Sequence, residues 1–439
     1  MSTISGSSLR GFGMRTVLLT SASVSWQKGS AAQVISLVSE LRKVRQDIRF
    51  ALLSHCPELD RQPARDLGIE ITGPRFSLQA TRNGRSVLML WKRLRCAFSR
   101  IRHRTAQRPH RWPPDPVAQA YAQADFVLDL SGDSYRDPPG GFALAHHANF
   151  LAALATGTPY GLASQSLGPF HPFNKPFARY FLERADFVYI REKKTREILL
   201  QLGVLPNRVQ LAPDVAFALP TASPAPIWTA EKIEPDRLRR PWIAISVSVL
   251  ALNLAARKRG NHYLEEMARL CDHLHRRYDA SVFLVPHEIN PPYYGPDDRA
   301  AAHALYARTG HPRWLHVING DYGPCSLKAF ISQCDALIAA RMHAAIAGVS
   351  SGVPTLPIAW SHKYEGLMEE IGLAEYVWDQ NRYTSASLCG LFDQLWEQRQ
   401  PIRSRLLDYT AGAQSQIAGI AERIATHIHQ LHSTNLPAA

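Results

Sequence analysis

The sequence predicts an α/β protein of two Rossmann-like domains facing a cleft, and three observations carry that prediction. The chain has 439 residues, more than one hydrophobic core ordinarily serves. Along both halves, short apolar runs of strand length alternate with segments of helical period, the order that builds parallel sheets. Between the halves lies Pro220 to Pro241, which holds five prolines and little periodicity and reads as a linker.

The elements follow in order. Residues 1–13 are rich in Ser and Gly and are expected to form a disordered tail. An N-terminal domain over 14–220 opens with a strand at Thr16 to Thr20, then a loop, Ser21 to Ser30, that carries Trp26, Lys28 and Gly29. Ala31 to Arg45 has apolar residues at helical spacing, so the loop opens a helix where α/β folds receive anions. A strand at Arg49 to Leu53 comes next. Strands at Phe126 to Leu130 and Tyr160 to Ser164 flank a helix at His146 to Thr156, and a strand at Phe187 to Ile190 ends at Arg191. A helix from Glu192 to Leu202, a strand at Val209 to Leu211 and a loop with Asp214 complete the half.

After the linker, 221–241, a C-terminal domain over 242–400 repeats the rhythm. Its strands are expected at Trp242 to Val247, Ala280 to Val285, Trp314 to Val317, Asp335 to Ala339 and Thr355 to Ile358. A C-terminal helix and tail occupy 401–439.

One stretch breaks the pattern. Arg82 to Trp112 interleaves ten Arg or Lys residues with Leu88, Leu90, Trp91, Leu94, Phe98 and Ile101, a basic amphipathic helix pattern. It reads as a solvated face, as a membrane-surface contact through anionic lipid, or as a nucleic-acid contact. No recognisable RNA- or DNA-binding module accompanies it, so nucleic acid is not an expected partner.

The net charge of +13 attracts anions of many kinds and names none of them. Six cysteines are scattered without a CxxC pair or zinc spacing, which predicts reduced thiols and no metal site. No run approaches the ~18 apolar residues of a membrane span, and the apolar run after Met14 turns polar at Thr20-Ser21, unlike a secretory signal. The expected location is cytoplasmic, with peripheral contact at the inner face of the membrane as a further reading.

Chemistry concentrates in Asp335 to Ile358. A strand ends in Arg341-Met342-His343, a small-residue helix starts there, Gly352 stops it, and another strand follows. That geometry sets Arg341 and His343 beside a helix N-terminus at the carboxyl edge of a sheet, where free N–H groups and the dipole favour an anion. Arg adds a bidentate fork for phosphate or carboxylate. Arg191 holds the equivalent place in the first half, and Lys363 follows the last core strand.

Six segments in order resemble the polysaccharide pyruvyl transferases. They are Gly132-Asp133, Ser164 to Phe170, Arg191 with Thr195-Arg196, Pro213 to Phe217, Val285 to Glu288, and Asp335 through His343 and Gly352-Val353-Pro354 to Lys363 and Gly366-Leu367-Met368. The resemblance covers roughly Val17 to Leu373. It implies a fold similar to the two-domain glycosyltransferase B architecture. The chain departs from the family before its first helix, where Lys28-Gly29-Ser30 stands in place of an Asn followed by Gly-Asp.

The resemblance also implies a reaction: pyruvate moves from phosphoenolpyruvate to two sugar hydroxyls as a ketal, and phosphate is released. Phosphoenolpyruvate enters as co-substrate, with no cofactor. The acceptor is a saccharide of a polysaccharide or its lipid-linked precursor. A donor bearing phosphate and carboxylate calls for several cations and N–H groups, for which Arg341, Met342, His343, Arg191, Lys363 and Ser246 are the candidates. His343 is the first choice for proton transfer, since an unperturbed imidazole titrates near neutral pH; Asp133 and Asp214 are the candidate carboxylates. Gln165, Gly168, His287 and Glu288 are the candidate acceptor contacts, the first domain being the acceptor side and the second the phosphoenolpyruvate side. A glycosyltransferase using a nucleotide sugar is the alternative on the same fold, with Glu365, Glu369 and Glu370 near the place of a ribose-binding segment.

Overall fold

The fold was obtained as a computed structural model, which describes residues 14–73, 116–137, 145–259, 262–291, 295–360, 363–379 and 385–433. The first half contains β1 (Arg15–Thr20), β2 (Ile48–Leu53), β3 (Ile69–Thr72), β4 (Phe126–Asp129), β5 (Tyr160–Gln165), β6 (Val188–Ile190) and β7 (Val209–Leu211). The second contains β8 (Trp242–Ser246), β9 (Ser281–Leu284), β10 (Leu315–Val317), β11 (Ala336–Ala339), β12 (Thr355–Ala359) and β13 (Trp378–Asp379). They form one seven-stranded sheet, ordered β3-β2-β1-β4-β5-β6-β7, and one six-stranded sheet, ordered β10-β9-β8-β11-β12-β13. Neighbours within each sheet run parallel.

Central strands such as β4, β8, β9 and β11 are buried at every residue. Helices cover both faces of the sheets, so these strands read as continuous apolar runs rather than alternating ones. Strand order reverses between β1 and β4 in one sheet and between β8 and β11 in the other. Such switch points leave a crevice beyond the carboxyl ends of the strands, where doubly wound folds bind ligands. Both are used here.

Two strands escape the sequence reading, β3 and β13, both at sheet edges and both short. The segment 221–241 is not a bare connection. It contains a helix at Ala225–Ala230 whose Pro226 lies in the first turn, where a missing N–H costs nothing. Its Trp228 packs against Trp242, Phe283 and Phe330 with ring centroids 5.4, 5.9 and 4.7 Å apart.

The C-terminal helix, Arg399–Ser433, runs 35 residues and returns to the first domain. Ile417, Ile420, Ile424 and Ile428 are buried. Gln414 donates to the Phe217 carbonyl at 3.2 Å, and His427 pairs with Asp186 at 2.9 Å. One hydrophobic core therefore runs from Val17 and Leu37 through the second sheet to Ile428, while a second cluster fills the other face of the first sheet.

Among the described residues, no helix is long and apolar enough to cross a membrane, and five cysteines are free thiols. The expected tail at 1–13 and the basic segment Arg82 to Trp112 lie outside the described residues.

Candidate active site

Loops from both switch points enclose a cleft of about 240 Å³. The first domain contributes Ser21 after β1, Gly132 and Asp133 after β4, Arg191 after β6, and Lys28, Gly29 and Gln33 from the helix Lys28–Val44. The second contributes His287 and Glu288 after β9, Arg341, Met342 and His343 after β11, and Trp360, Lys363 and Tyr364 after β12. Gly132 has φ +63°, a left-handed turn that glycine adopts without strain. Two helix starts meet the cleft, at Lys28 and at Met342, and neither has a side-chain cap on its first N–H groups. Their dipoles and unshared donors favour an anion between them.

The two strand-end arginines are there, but neither is a free fork. The Arg341 guanidinium donates twice to Asp298, at 2.9 and 2.6 Å, and also pairs with Glu288. Asp298 is fully buried, and it also accepts the backbone N–H groups of Val249 at 2.9 Å and His287 at 3.2 Å. This one carboxylate thus ties together the loops after β8, β9 and β11. Burial pushes Glu288 above the usual carboxylate range although Arg341 pulls the other way.

Arg191 is buried. It pairs with Asp214 and donates to Ser166 Oγ. Asp214 further accepts from Gln33 Nε2 at 3.2 Å and from the Ala216 N–H at 2.9 Å. Burial disfavours its charge, yet Arg191 and His343 hold it well below the usual carboxylate range.

His343 crosses the cleft to that pair. Its Nε2 lies 3.6 Å from Asp214 Oδ2, is enclosed, and has no hydrogen-bond partner among the described residues. Its Nδ1 side lies against Gly29, where a Cβ would come within 2.1 Å of Nδ1. Glycine at 29 is what lets the two domains approach this closely. The imidazole of one domain is therefore backed by a carboxylate of the other, a base-and-orienter arrangement suited to proton transfer.

Cations surround this point. Lys363 donates to Asp133 at 2.7 Å and sits 4.7 Å from the centre of the Trp360 ring. Burial opposes the Asp133 charge, but Lys363 and Arg191 hold its pKa well below the usual carboxylate range. Lys28 is buried, donates to the Ser25 carbonyl at 2.7 Å and pairs with Asp321; burial lowers its pKa, and Asp321 offsets part of that. Arg136 also lines the cleft and makes no ion pair or side-chain hydrogen bond among the described residues. His287 is buried beside His343, Arg341 and Lys28, and burial followed by those charges pushes its pKa down to about 3. It is a neutral imidazole near pH 7.

Of the sequence-predicted residues, the structure brings His343, Asp133, Arg341, Met342, Arg191, Lys363, His287 and Glu288 to the cleft, with Asp214 directly behind Arg191 and His343. Three stand apart. Ser246 is fully buried at the end of β8, outside the cleft lining, its hydroxyl without a partner among the described residues. Gln165 points inward and accepts from Ser131 Oγ at 2.6 Å while donating to the Asp129 carbonyl at 3.0 Å. Gly168 packs against Ile198 and Phe170, so both of these shape the strand ends rather than the cleft surface.

Gln33, Arg136, Asp298 and Asp321 are site residues that sequence reasoning did not single out; Lys28, named there in a loop that opens a helix, lines the cleft. Among the described residues, no group of three or more His, Cys, Asp or Glu is arranged to hold a metal ion.

Comparison with known proteins agrees with this architecture. The chain is similar to the UDP-GlcNAc 2-epimerase of Neisseria meningitidis (TM-score 0.59, 13% identity, 94% of this chain and all, 100%, of that one). It is also similar to Anabaena HepE (TM-score 0.57, 12% identity, 95% and 100%). At such identities the likeness shows the fold: two parallel-sheet α/β domains of the glycosyltransferase B kind. In sequence it is 24% identical over 289 residues to the amylovoran biosynthesis protein AmsJ of Erwinia amylovora, covering 64% of this chain and 68% of that protein. The family model for polysaccharide pyruvyl transferase matches residues 28–362, a span that holds the charged groups of the cleft from Lys28 to His343, with Lys363 just beyond it; the chain belongs to the polysaccharide pyruvyl transferase family, a family of transferases.

Proposed function

We propose that the protein transfers pyruvate from phosphoenolpyruvate to two hydroxyls of a saccharide, forming a ketal and releasing phosphate. One observation carries the reading: an imidazole backed by a carboxylate of the opposite domain, His343 with Asp214 at 3.6 Å, stands at a helix start ringed by Lys28, Arg136 and Lys363. An anion with two charged ends suits those cations and the two helix starts. A carbon that must be protonated suits the imidazole.

Residue by residue, the donor's phosphate and carboxylate lie among Lys363, Arg136, Lys28 and the N–H groups at Met342 and His343, whose charge stabilisation grows as the carbon–oxygen bond to phosphate weakens. His343 delivers a proton to the methylene carbon, which becomes the methyl group, and the middle carbon turns electrophilic. One sugar hydroxyl adds there and loses its proton. Phosphate departs with its bridging oxygen, the second hydroxyl adds and loses its proton, and the ketal is complete. Asp133 and Glu288, at the rim, are the carboxylates within reach of an acceptor. Arg341 and Arg191 act mainly by holding the loops and His343 in register, because their own forks are occupied by Asp298 and Asp214.

The test is incubation with phosphoenolpyruvate and with candidate saccharides, free and lipid-linked, followed by phosphate release. Release that needs both partners supports the reading. Turnover of a nucleotide sugar alone would overturn it in favour of a glycosyltransferase.

A further inference from the structure

Outside the cleft lining, the helix Lys175–Leu182 turns an unusual face outward. Its inner side is ordinary: Ala178, Phe181 and Leu182 are buried. Its outer side carries Phe177, 46% exposed, and Tyr180, 47% exposed, and Phe173 just before the helix is 55% exposed. The three aromatic side chains counted among the exposed large hydrophobics of the described residues all fall on this one segment.

Spacing of 177 and 180 places both on one helical face. Solvated faces of globular helices are normally polar, and contiguous exposed apolar surface marks an interaction site. The Arg179 guanidinium borders Gly203, which lies between Leu200 and Leu205, 40% and 53% exposed. Exposed leucines therefore flank the glycine that Arg179 touches.

Charge tells what covers it. Lys175, Arg179 and Arg184 against Glu183 give the segment 171–184 a net charge of +2, three minus one, within a chain of +13. Arg184 stacks over the Tyr180 ring at 3.6 Å, an aromatic body with a cation at its tip. Aromatic and aliphatic side chains ringed by Arg and Lys are the composition of a helix lying in a lipid headgroup region. The exposed leucines favour hydrocarbon over nucleic-acid bases, which stack on aromatics and not on Leu.

We infer that this face, Phe173, Phe177 and Tyr180 with Lys175, Arg179 and Arg184, docks the protein peripherally on an anionic bilayer. The base of the helix is fixed to the cleft rim: Asp137 accepts the His171 N–H at 2.7 Å and the Asn174 side-chain amide at 2.9 Å, and its neighbour Arg136 lines the cleft. Docking would bring the cleft rim to the membrane surface. The docking does not depend on the reaction; only its consequence, access to an acceptor held at a membrane, rests on the transfer reading.

Flotation of the full chain with phosphatidylcholine vesicles, with and without phosphatidylglycerol, tests it. Wild type should float with the anionic vesicles and much less with the neutral ones. Phe177→Ser with Tyr180→Ser should weaken binding by at least about tenfold, since each ring removes buried apolar area, with the melting temperature and oligomeric state unchanged. A Phe177→Trp variant should show a blue-shifted emission on anionic vesicles. Equal flotation of the double variant, no emission shift, or a wild-type dimer that the double variant turns monomeric would overturn the proposal. So would a preference for single-stranded nucleic acid that the double variant abolishes. None of these readouts needs turnover, so their failure leaves pyruvyl transfer standing.

Discussion

Arg191 and Arg341 are built alike and used differently. Each follows a strand of its own sheet and each is held by an aspartate from another loop, Asp214 and Asp298. The Asp298 pair closes inward, taking two backbone N–H groups of its own domain. The Asp214 pair opens outward, facing His343 of the other domain at 3.6 Å. One arginine-aspartate pair therefore frames a scaffold, and the other backs an imidazole that lines the cleft. A motif at a strand end does not by itself say which.

That difference can be broken experimentally. His343→Ala should lower turnover by about 10²- to 10⁴-fold with the thermal melt nearly unchanged, because its Nε2 has no hydrogen-bond partner among the described residues. Asp298→Asn should behave in reverse: removing the counter-charge of a buried guanidinium costs about 3–5 kcal/mol of stability, read as a drop in the urea midpoint. Equal loss of stability in both variants would erase the distinction.

Gly29→Ala tests the contact between the domains. Its new Cβ falls 2.1 Å from His343 Nδ1, so the ring must move, and a displacement of that order costs roughly 10²-fold in turnover while circular dichroism stays native. Lys363→Ala should act on binding instead, raising KM for phosphoenolpyruvate about tenfold with a smaller effect on kcat, since it removes a cation beside the cleft at a cost on the order of 1 kcal/mol.

The remaining effect is a slope. His287 has a folded pKa of about 3 against 6.5 for the free side chain. A depressed base is neutral in the native state and takes up its proton on unfolding. Its contribution is fully present above pH 6.5 and declines as pH falls toward 3, by on the order of 1 kcal/mol per pH unit. His287→Gln should flatten that part of the stability curve; an unchanged slope would mean that the acid sensitivity lies elsewhere.

Much of this was legible in the sequence. Buried parallel strands are apolar throughout, so β1, β4, β8, β11 and β12 announce themselves, and a strand ending in Arg-Met-His at a helix start is visible at once. What the sequence hid was partnership. Nothing near Asp298 signals that it meets Arg341, 43 residues later; with Asp297 before it, it reads as a helix cap, a role that Asp297 in fact fills. Ser246 and Gln165 sit at strand ends as expected, but a strand end can turn its side chain into the core. The return of Arg399–Ser433 to the first domain was hidden for a similar reason: an apolar stripe shows that a helix is covered, not by which domain. Lys28-Gly29-Ser30, a departure from the family pattern, turned out to line the cleft.

The most direct test of the account is transfer in D₂O with a saccharide acceptor, reading the ketal by mass and NMR. Protonation of the methylene carbon at His343 predicts a pyruvyl methyl group carrying one solvent deuterium, equimolar with released phosphate, and loss of both in His343→Ala. Phosphate release with no pyruvyl group on the sugar, or full deuterium incorporation by His343→Ala, would contradict it.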